Sequence, residues 1–565
     1  MRTRRLSALV FSVFLLVQGS CGKGEVSAPL PPANPPASAL ESIAAVDLLK
    51  DITRLASDEF EGRAPASRGE QLTLDYLEGR FREMGLKGGA EGGGFRQKVP
   101  LVGITANPNV RLSVTSPRTS VILDYGTDFM AWTKRVAEEA EMDAELVFVG
   151  YGTVAPEYGW DDYKGVDVKG KVLVMLVNDP PLEDENMFGG KAMTYYGRWT
   201  YKFEIAAEKG AAGCLVIHEA GPAGYPWEVV SSGWSGEQFD LMTPDKNAGR
   251  VAVEGWLSLK AGQALARMAG KRFHKWKEQA ASPDFQPVPL GLKASIKLRN
   301  KIRTLDSSNL IAKLEGSDPV LRDQYVAYVA HWDHLGVGNP LRGDSIYNGA
   351  VDNASGTAAL LELGETFAAL EIPPRRSLLF MAVTAEESGL LGSKYYAANP
   401  VYPLVKTAAV INMDSMNMWG ETTDITVIGL GNSTLDETVR TIARRQGRTV
   451  RPDPEPEKGY FYRSDHFEFA KEGVPALYAE SGVDYVGKPE GWGLEVREKY
   501  TAEDYHKPSD EVRSDWDLSG VVTDVRLLFQ VGYQVANQEE LPRWMPGTEF
   551  KAKREEMLRA AGVVP

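Results

Sequence analysis

The chain has 565 residues, of which 43% are apolar and 25% are charged, values near the average for globular proteins. This composition excludes a disordered or collagen-like chain, and the length predicts about three to four domains, or fewer if the domains are long. The formal charge of −14 argues against a nucleic-acid partner, because it implies no basic binding surface. The chain has only six histidines, so any histidine-based metal site must be drawn from a short list.

The N-terminus has the pattern of an export signal, and residues 1–20 are predicted to be a signal peptide. Arginines precede the apolar run Leu6–Val17, which is shorter than the roughly 20 residues that a membrane-spanning helix needs. The segment Gly19-Ser20-Cys21 resembles the cleavage site of bacterial lipoproteins, which implies a lipid on Cys21 and attachment to a membrane. We therefore expect a periplasmic or outer-membrane protein, with ordinary secretion as the alternative.

The remaining chain divides into segments of different pattern. Residues 21–40 are rich in Pro and Ala and predict an extended tether. Residues 41–99 show apolar residues at helical spacing, and residues 100–300 contain short apolar runs bounded by Gly and Pro, typical of strands. Residues 301–540 alternate strands and helices, which predicts an α/β fold around a doubly wound sheet with parallel strands. Residues 541–565 form a tail, predicted to be a surface helix.

Three apolar runs of the α/β segment each end in ionisable residues. Each run has the length and composition of a buried strand, and the carboxyl edge of such a sheet is where ligands bind. Three strand ends in succession would bring these side chains together at one rim. The runs 324–330, 378–383 and 408–411 are followed by His331, Asp333 and His334, by Glu386 and Glu387, and by Asp414.

Two further candidates complete the cluster. Asp352 lies in a loop of small residues that precedes the apolar start of a helix, and His506 follows Asp504-Tyr505 late in the chain. Close carboxylates need either raised pKa values or a cation, and imidazole with carboxylate suits zinc or a similar divalent ion. Five protein ligands are too many for one catalytic zinc but suffice for two metals, if one carboxylate bridges them. A glutamate beyond the ligands could then serve as general base, and the Glu386-Glu387 pair offers both roles.

These motifs resemble peptidase family M28, whose members are exopeptidases with two zinc ions and a three-layer α/β/α fold. The resemblance covers roughly residues 40–540 and rests on these segments: Leu55–Arg63, His331-Trp-Asp333-His334, Val-Asp352-Asn-Ala-Ser-Gly, Glu386-Glu387, Asn-Met-Asp414 and Tyr505-His506-Lys-Pro-Ser-Asp. It implies a catalytic domain made of residues 41–99 and 301–540, built on a mixed, mostly parallel sheet.

The resemblance also implies a role for each site residue. Its metal ligands would be His331, Asp352, Glu387, Asp414 and His506, which would hold two Zn²⁺ ions bridged by Asp352 and a water or hydroxide. Glu386 would be the general base, Asp333 would hold a ligand in its tautomer, and Tyr505 would stabilise the oxyanion. Ser464-Asp465-His466 resembles a family element too, but His506 has the better context, so His334 and His466 are expected outside the coordination sphere.

The 100–300 segment resembles a protease-associated (PA) domain, which many family members carry as an insert beside the active-site cleft. The resemblance rests on Val149-Gly-Tyr-Gly152, Trp160–Tyr163, Val166–Val172 and Ala206–Ala212. A structural lid and a part in shaping or gating the substrate site both remain open for this insert.

The function implied is that of a zinc-dependent aminopeptidase acting on peptides with a free N-terminus. The alternatives are a carboxypeptidase of the same family, a glutaminyl cyclase-like transferase, and a non-catalytic, receptor-like relative. The complete ligand set argues against the last two. The sequence leaves the preferred N-terminal residue, the oligomeric state and the metal loaded in the cell open.

Overall fold

The computed structural model describes residues 30–182, 184 and 187–563. The predicted signal peptide, Cys21 and the first part of the tether lie outside the described residues, so the prediction of a lipid anchor stays a prediction. In the described part of the chain, no helix is long and apolar enough to cross a membrane.

Fifteen α-helices lie in the described part of the chain, and most of them are short. In chain order they are α1 (Ala37–Ser42), α2 (Ala45–Leu55), α3 (Arg68–Glu83), α4 (Trp199–Glu208), α5 (Ala220–Ala223), α6 (Trp227–Gly233), α7 (Leu259–Met268), α8 (Phe273–Ala280), α9 (Gly356–Ala368), α10 (Leu391–Ala398), α11 (Leu435–Arg445), α12 (His466–Lys471), α13 (Trp492–Glu503), α14 (Ser519–Asn537) and α15 (Lys551–Ala560). The tail thus contains the helix expected for it, although α15 buries Arg554 and Leu558 rather than only lying on the surface.

Strands contain more residues than helices between Lys87 and Leu314, and strands alternate with helices after that segment. They are β1 (Lys87–Gly88), β2 (Arg96–Ala106), β3 (Arg111–Thr115), β4 (Ser120–Asp124), β5 (Phe129–Trp132), β6 (Glu139–Phe148), β7 (Val154–Ala155), β8 (Trp160–Asp161), β9 (Val172–Leu176), β10 (Gly213–Ile217), β11 (Glu237–Leu241), β12 (Val253–Leu257), β13 (Val288–Leu314), β14 (Tyr325–His331), β15 (Gly336–Leu341), β16 (Asp344–Tyr347), β17 (Ser377–Val383), β18 (Thr407–Asn412), β19 (Asp424–Ile428), β20 (Thr449–Pro452) and β21 (Ala476–Ser481).

The centre of the main sheet is β14, with β17 parallel to it on one side and β18 parallel to it on the other. Strand β21 continues the parallel order beyond β18, whereas β13 joins β17 in antiparallel fashion at the other side. All residues of β14 and β17 are buried, as expected for parallel strands covered on both faces. The sheet is therefore mixed and mostly parallel at its centre, which confirms the predicted α/β class.

Helices pack on both faces of this sheet, because alternate side chains of a strand point to opposite sides. Val326, Tyr328 and Ala330 of β14 belong to a core shared with α2, α3, α9, α11 and α14. Ala327 and Val329 of the same strand belong to a second core shared with α10 and α12. The result is the three-layer α/β/α arrangement that the family resemblance implies.

A second sheet lies in the segment between β2 and β13, and it has its own two cores. Strands β9, β10 and β12 are parallel neighbours at its centre, with α4 on one face and α7 and α8 on the other. Strand β13 belongs to both sheets: its first half pairs with β6, and its second half pairs with β2 and β17. The predicted boundaries near residues 100 and 300 therefore fall within β2 and β13, and the assignment of the insert as a PA-type domain stays a prediction.

Candidate metal centre

The parallel register of β14, β17 and β18 brings their carboxyl ends to one edge of the main sheet. His331 is the last residue of β14, Glu386 and Glu387 follow β17, and Asp414 follows β18. Asp352 reaches the same edge from a π-helical turn, residues 350–355, that leads into α9. His506 comes from the loop after α13 and has a left-handed backbone conformation, with φ 57°.

One group of donors forms around His331. Its Nε2 atom lies 3.3 Å from Asp352 Oδ1 and 3.4 Å from Asp414 Oδ1. The imidazole is fully buried, and its second nitrogen, Nδ1, lies 3.1 Å from the main-chain oxygen of Asp333. The contact at Nδ1 thus orients the ring, and Nε2 faces the space between the two carboxylates, where a cation could bind.

A second group forms around His506. Its Nε2 atom lies 3.2 Å from Asp352 Oδ2 and 3.0 Å from Glu387 Oε2. Asp352 therefore turns one oxygen to each group, the geometry that a bridging ligand between two ions requires. Burial opposes the charged form of His506, but Glu387 and Asp352 raise its pKa to about 10.

His334 lies closer to the second group than we expected for a residue at the rim. Its Nδ1 atom is 2.5 Å from Glu387 Oε1, and with Asp352 and Glu387 it forms a set of donor atoms close enough to share one cation. Its Nε2 atom is buried and has no hydrogen-bond partner among the described residues. His334 therefore contacts a predicted ligand directly.

His466, by contrast, belongs to none of the groups of donor atoms found among the described residues. Its ring is buried between the rings of Phe461 and Tyr478, and neither of its nitrogens has a hydrogen-bond partner in the described part of the chain. Burial lowers the pKa of His466 to about 3, so the ring is neutral. It is a buried packing residue in this structure.

Glu386 lies beside the first group, and with His331 and Glu387 it forms a further set of donor atoms close enough to share one cation. Its Oε2 atom is 3.8 Å from His331 Nε2, farther than either carboxylate of that group. Burial raises the pKa of Glu386 well above its usual value, and Glu387 and Asp414 raise it further, although His331 acts in the opposite direction. A carboxyl group with these properties is suited to accept and release a proton.

Asp333 supports the site differently from the role inferred for it. The main-chain oxygen of Asp333, rather than its carboxylate, contacts His331, and the carboxylate accepts the main-chain N–H of Glu386 at 3.1 Å. Burial raises the pKa of Asp333 to about 8. Asp333 therefore links the end of β14 to the loop that carries Glu386.

Tyr505 precedes His506, and the two rings stack with their centroids 3.8 Å apart. Desolvation and the carboxylates of Asp352, Glu387, Glu386 and Asp414 raise the pKa of Tyr505 well above its usual value. The phenol is therefore protonated at neutral pH and can donate a hydrogen bond.

Sequence reasoning did not single out three residues that hold the ligands in place. Ser464 donates to Asp414 Oδ2 at 2.6 Å, and the Asp510 carboxylate accepts the main-chain N–H groups of Val351 and Asp352. The buried guanidinium of Arg63 donates to the carbonyls of Trp332, Asn348 and Gly349. All three stand in the motifs that carry the family resemblance, so the signal was present, but only the fold shows which ligand each one supports.

The donor set fits divalent metal ions. Several sets of one imidazole and two carboxylates have ligand atoms that lie within 4.8 Å of one another. Two of these sets are His331-Asp352-Asp414 and His334-Asp352-Glu387. Nitrogen and carboxylate oxygen donors in groups of three are the ligands of catalytic zinc. The first set consists of predicted ligands, whereas the second contains His334; the predicted ligand His506 contacts the same two carboxylates, Asp352 and Glu387.

Comparison with known proteins finds a match to one peptidase family. The model of peptidase family M28 matches residues 309–529. Aminopeptidase NAALADL1 of Mus musculus is 34% identical over 145 residues, which are 24% of this chain and 18% of that protein. Leupeptin-inactivating enzyme 1 of Streptomyces exfoliatus is 30% identical over 191 residues, which are 33% of this chain and 39% of that protein.

Both matches span less than two thirds of the relatives' own length. A solved aminopeptidase from Aneurinibacillus sp. strain AM-1 superposes with a TM-score of 0.52 at 20% identity, covering 89% of this chain and 96% of that one, and shares the fold. The chain is therefore similar to peptidase family M28 over residues 309–529, and all five predicted metal ligands lie within that match.

Proposed function

We propose that this protein is an exported metalloaminopeptidase that binds two zinc ions and hydrolyses the N-terminal bond of peptides. The observation that carries the proposal is the placement of Asp352, whose two carboxylate oxygens face two separate imidazole groups. His331 and Asp414 would complete one metal site, and Glu387 and His506 the other.

The metal ions, when bound, would lower the pKa of a water molecule and polarise the scissile carbonyl. The chain supplies the proton transfers. Glu386 stands next to the donors with a raised pKa, so it can take the proton of the attacking water and later give it to the leaving amine. Asp333 would position Glu386 for this proton transfer, because its carboxylate accepts the main-chain N–H of Glu386.

The phenol of Tyr505 would donate to the oxyanion that forms on the carbonyl. The stacking of Tyr505 on His506 keeps the hydroxyl near the ligands, and its raised pKa keeps the proton on it. A fixed donor aimed at developing charge stabilises a transition state more than the ground state.

Blocked dipeptides and metal analysis test the proposal together. The zinc-loaded chain should hydrolyse aminoacyl p-nitroanilides and C-blocked dipeptides, and it should fail on N-blocked dipeptides, because an aminopeptidase requires the free amine. Hydrolysis of N-blocked dipeptides alone would indicate the carboxypeptidase alternative. A chain that binds zinc but hydrolyses neither would refute the proposed activity.

Export and anchoring are a separate proposal, supported by the sequence 1–21 alone. Labelling of expressing bacteria with a radioactive fatty acid should mark the wild-type protein and leave Cys21→Ser unlabelled. Recovery of unlabelled wild-type protein from the culture medium would instead favour ordinary secretion.

A further inference from the structure

The ring of His334 is buried beside the second group of donors, between a histidine ring and the main chain of a glycine. His334 lies in the loop that follows β14. Its ring lies edge-to-face against that of His506, with the centroids 5.7 Å apart. Gly349 packs so closely on the ring that a side-chain carbon at this glycine would lie 2.5 Å from Cγ of His334. The surroundings therefore fix the position of the ring.

The contact between His334 and Glu387 is a hydrogen bond. His334 Nδ1 lies 2.5 Å from Glu387 Oε1, and the two side chains are 0% and 6% exposed. A carboxylate that binds a metal is ionised and can only accept, so the hydrogen atom belongs to Nδ1 of the imidazole. The other tautomer would set two lone pairs against each other and leave a buried N–H at Nε2, which has no partner among the described residues.

His334, Asp352 and Glu387 lie close enough together to share one cation, but their distances favour a different role for His334. Donor atoms around one tetrahedral zinc ion lie about 3.4 Å apart, because each bond to the ion is about 2.1 Å long. His506 Nε2 lies 3.2 Å from Asp352 Oδ2 and 3.0 Å from Glu387 Oε2, close to that spacing. The 2.5 Å contact of His334 is too short for two ligands of one ion and matches a charge-assisted hydrogen bond. The spacing therefore favours His506 as the ligand and His334 as a group that supports one.

The two oxygens of Glu387 thus have different partners. Oε1 accepts from His334, which leaves Oε2 on the side of His506. A carboxylate with both oxygens free can bind an ion through both of them and then fills two coordination positions. The hydrogen bond to Oε1 restricts Glu387 to one bond with the ion. It thereby keeps a position for water or substrate, which a catalytic zinc site needs.

We propose that His334 is a positioning residue for the second metal site, that of Glu387 and His506, where its hydrogen bond directs Oε2 of Glu387 to the ion. The inference rests on the proposed two-zinc function and deepens it. Groups that orient metal ligands contribute to affinity without touching the metal. Only the second site should depend on His334, because its one hydrogen bond in the described part of the chain joins it to Glu387.

Two substitutions of equal size separate the hydrogen bond from packing. Asn carries an amide nitrogen near the position of Nδ1, whereas Leu has the same number of side-chain atoms and no donor. His334→Leu should weaken the binding of one of the two zinc ions by about 10–100-fold, and His334→Asn should keep most of the affinity. Titration of the metal-free chains against a chromophoric chelator gives both dissociation constants without any assay of activity. Equal constants in the wild type and His334→Leu would overturn the inference, and so would equal weakening in the two variants.

Two further variants show which of the two ions is affected. His506→Ala removes a predicted ligand of the second site, and Ser464→Ala removes the hydrogen bond to Asp414 of the first. The constant that changes in His334→Leu should be the one that changes in His506→Ala. If it is instead the one that changes in Ser464→Ala, or if both constants weaken alike, His334 acts on the fold rather than on Glu387 and the inference fails.

Cobalt in place of zinc tests how Glu387 binds the ion. Four-coordinate Co²⁺ absorbs visible light strongly and six-coordinate Co²⁺ absorbs it weakly, so the spectrum reports the coordination number. At saturating Co²⁺, the absorption of the ion at the second site should fall in His334→Leu, where Oε1 is free to bind as well. It should stay near the wild-type value in His334→Asn. An unchanged spectrum in His334→Leu would contradict the restriction of Glu387 to one oxygen.

The outcome is distinguishable from failure of the proposed function. A wild-type chain that binds fewer than two zinc ions would refute the two-metal proposal and the inference with it. A wild-type chain that binds two ions and hydrolyses no peptide would refute the peptidase proposal alone, since the titrations still decide the role of His334.

Discussion

At the scale of single residues, the proposed two-metal centre is made of a small number of side chains. Asp352 serves both groups, and His331 and His506 each place one nitrogen against it at 3.3 and 3.2 Å. Glu386 and Glu387 are neighbours in sequence but contact different partners, because successive side chains point in different directions. Their roles in the proposed mechanism can therefore be tested separately.

Replacing Glu386 by Gln should remove the proton acceptor and keep the metal sites. Turnover of leucine p-nitroanilide should fall by at least about 10²–10⁴-fold, the usual contribution of general acid–base catalysis. Zinc content, measured by atomic emission after dialysis, should stay at two per chain. A variant with normal turnover would show that Glu386 is not the base.

Replacing His506 by Ala should lower the zinc count, because His506 contacts both Asp352 and Glu387. His466→Phe is the matched control, since His466 is buried among aromatic rings and belongs to no donor group in the described part of the chain. The control should keep two zinc ions per chain. The reverse pattern would move the fifth ligand from His506 to His466.

At the scale of secondary-structure elements, the turn after α2 fixes two ligand-bearing loops. Arg63 belongs to this turn, and its buried guanidinium donates to the carbonyls of Trp332 and Gly349, which lie beside His331 and before Asp352. Burial lowers the pKa of Arg63 to about 10, although nearby carboxylates act in the opposite direction, so it stays charged. One cation thus joins the end of β14 to the turn before α9.

Arg63→Lys should keep the charge and lose most of these hydrogen bonds. We expect zinc affinity to fall by about 10–100-fold, the usual effect of removing a group that orients metal ligands. Competition with a chromophoric chelator measures the affinity without any assay of activity. The exposed Arg68→Lys serves as control, and equal affinities in all three proteins would contradict the positioning role.

The contact between α2 and α9 gives a prediction about pH. Glu362 of α9 is buried and accepts the main-chain N–H of Ala44, and burial raises its pKa from 4.5 to about 7. The native state then binds this proton more tightly than the unfolded state does. The stability that follows is complete below about pH 4.5 and is lost as the pH rises to 7 and above.

Glu362→Gln keeps an acceptor for Ala44 and removes the buried charge. It should raise the free energy of unfolding by about 1–3 kcal/mol at pH 8 and by much less at pH 5. Urea unfolding at the two pH values measures the difference, with the exposed Glu371→Gln as control. An equal effect at both pH values would show that Glu362 does not titrate in this range.

At the scale of the whole molecule, the predicted ligands come from segments far apart in sequence, from residue 331 to residue 506. Metal binding should therefore stabilise the complete domain, because an ion that binds only the native state shifts unfolding by mass action. Removing metal with a chelator should lower Tm by several degrees, and added zinc should restore it. Asp352→Asn should show a much smaller shift in Tm. Equal Tm values for the wild-type protein with and without zinc would contradict the proposal that these residues bind metal.

The order of the elements and the residues at the strand ends could be predicted from the sequence. Buried parallel strands are continuous apolar runs, so β14, β17 and β18 were evident, and the polar residues after them marked the edge where a site forms. The motifs then identified the family by residue type and spacing. These are local properties of the sequence, and they can be recognised without knowing which strands are neighbours in the sheet.

Only the tertiary structure decided how the side chains meet. The packing of the strand ends against the turn before α9, the loop after α13 and α12 determines three contacts: the two oxygens of Asp352 face different imidazoles, His334 contacts Glu387, and His466 is turned into the core. Such contacts arise from the packing of distant segments, which residue spacing along the chain does not encode.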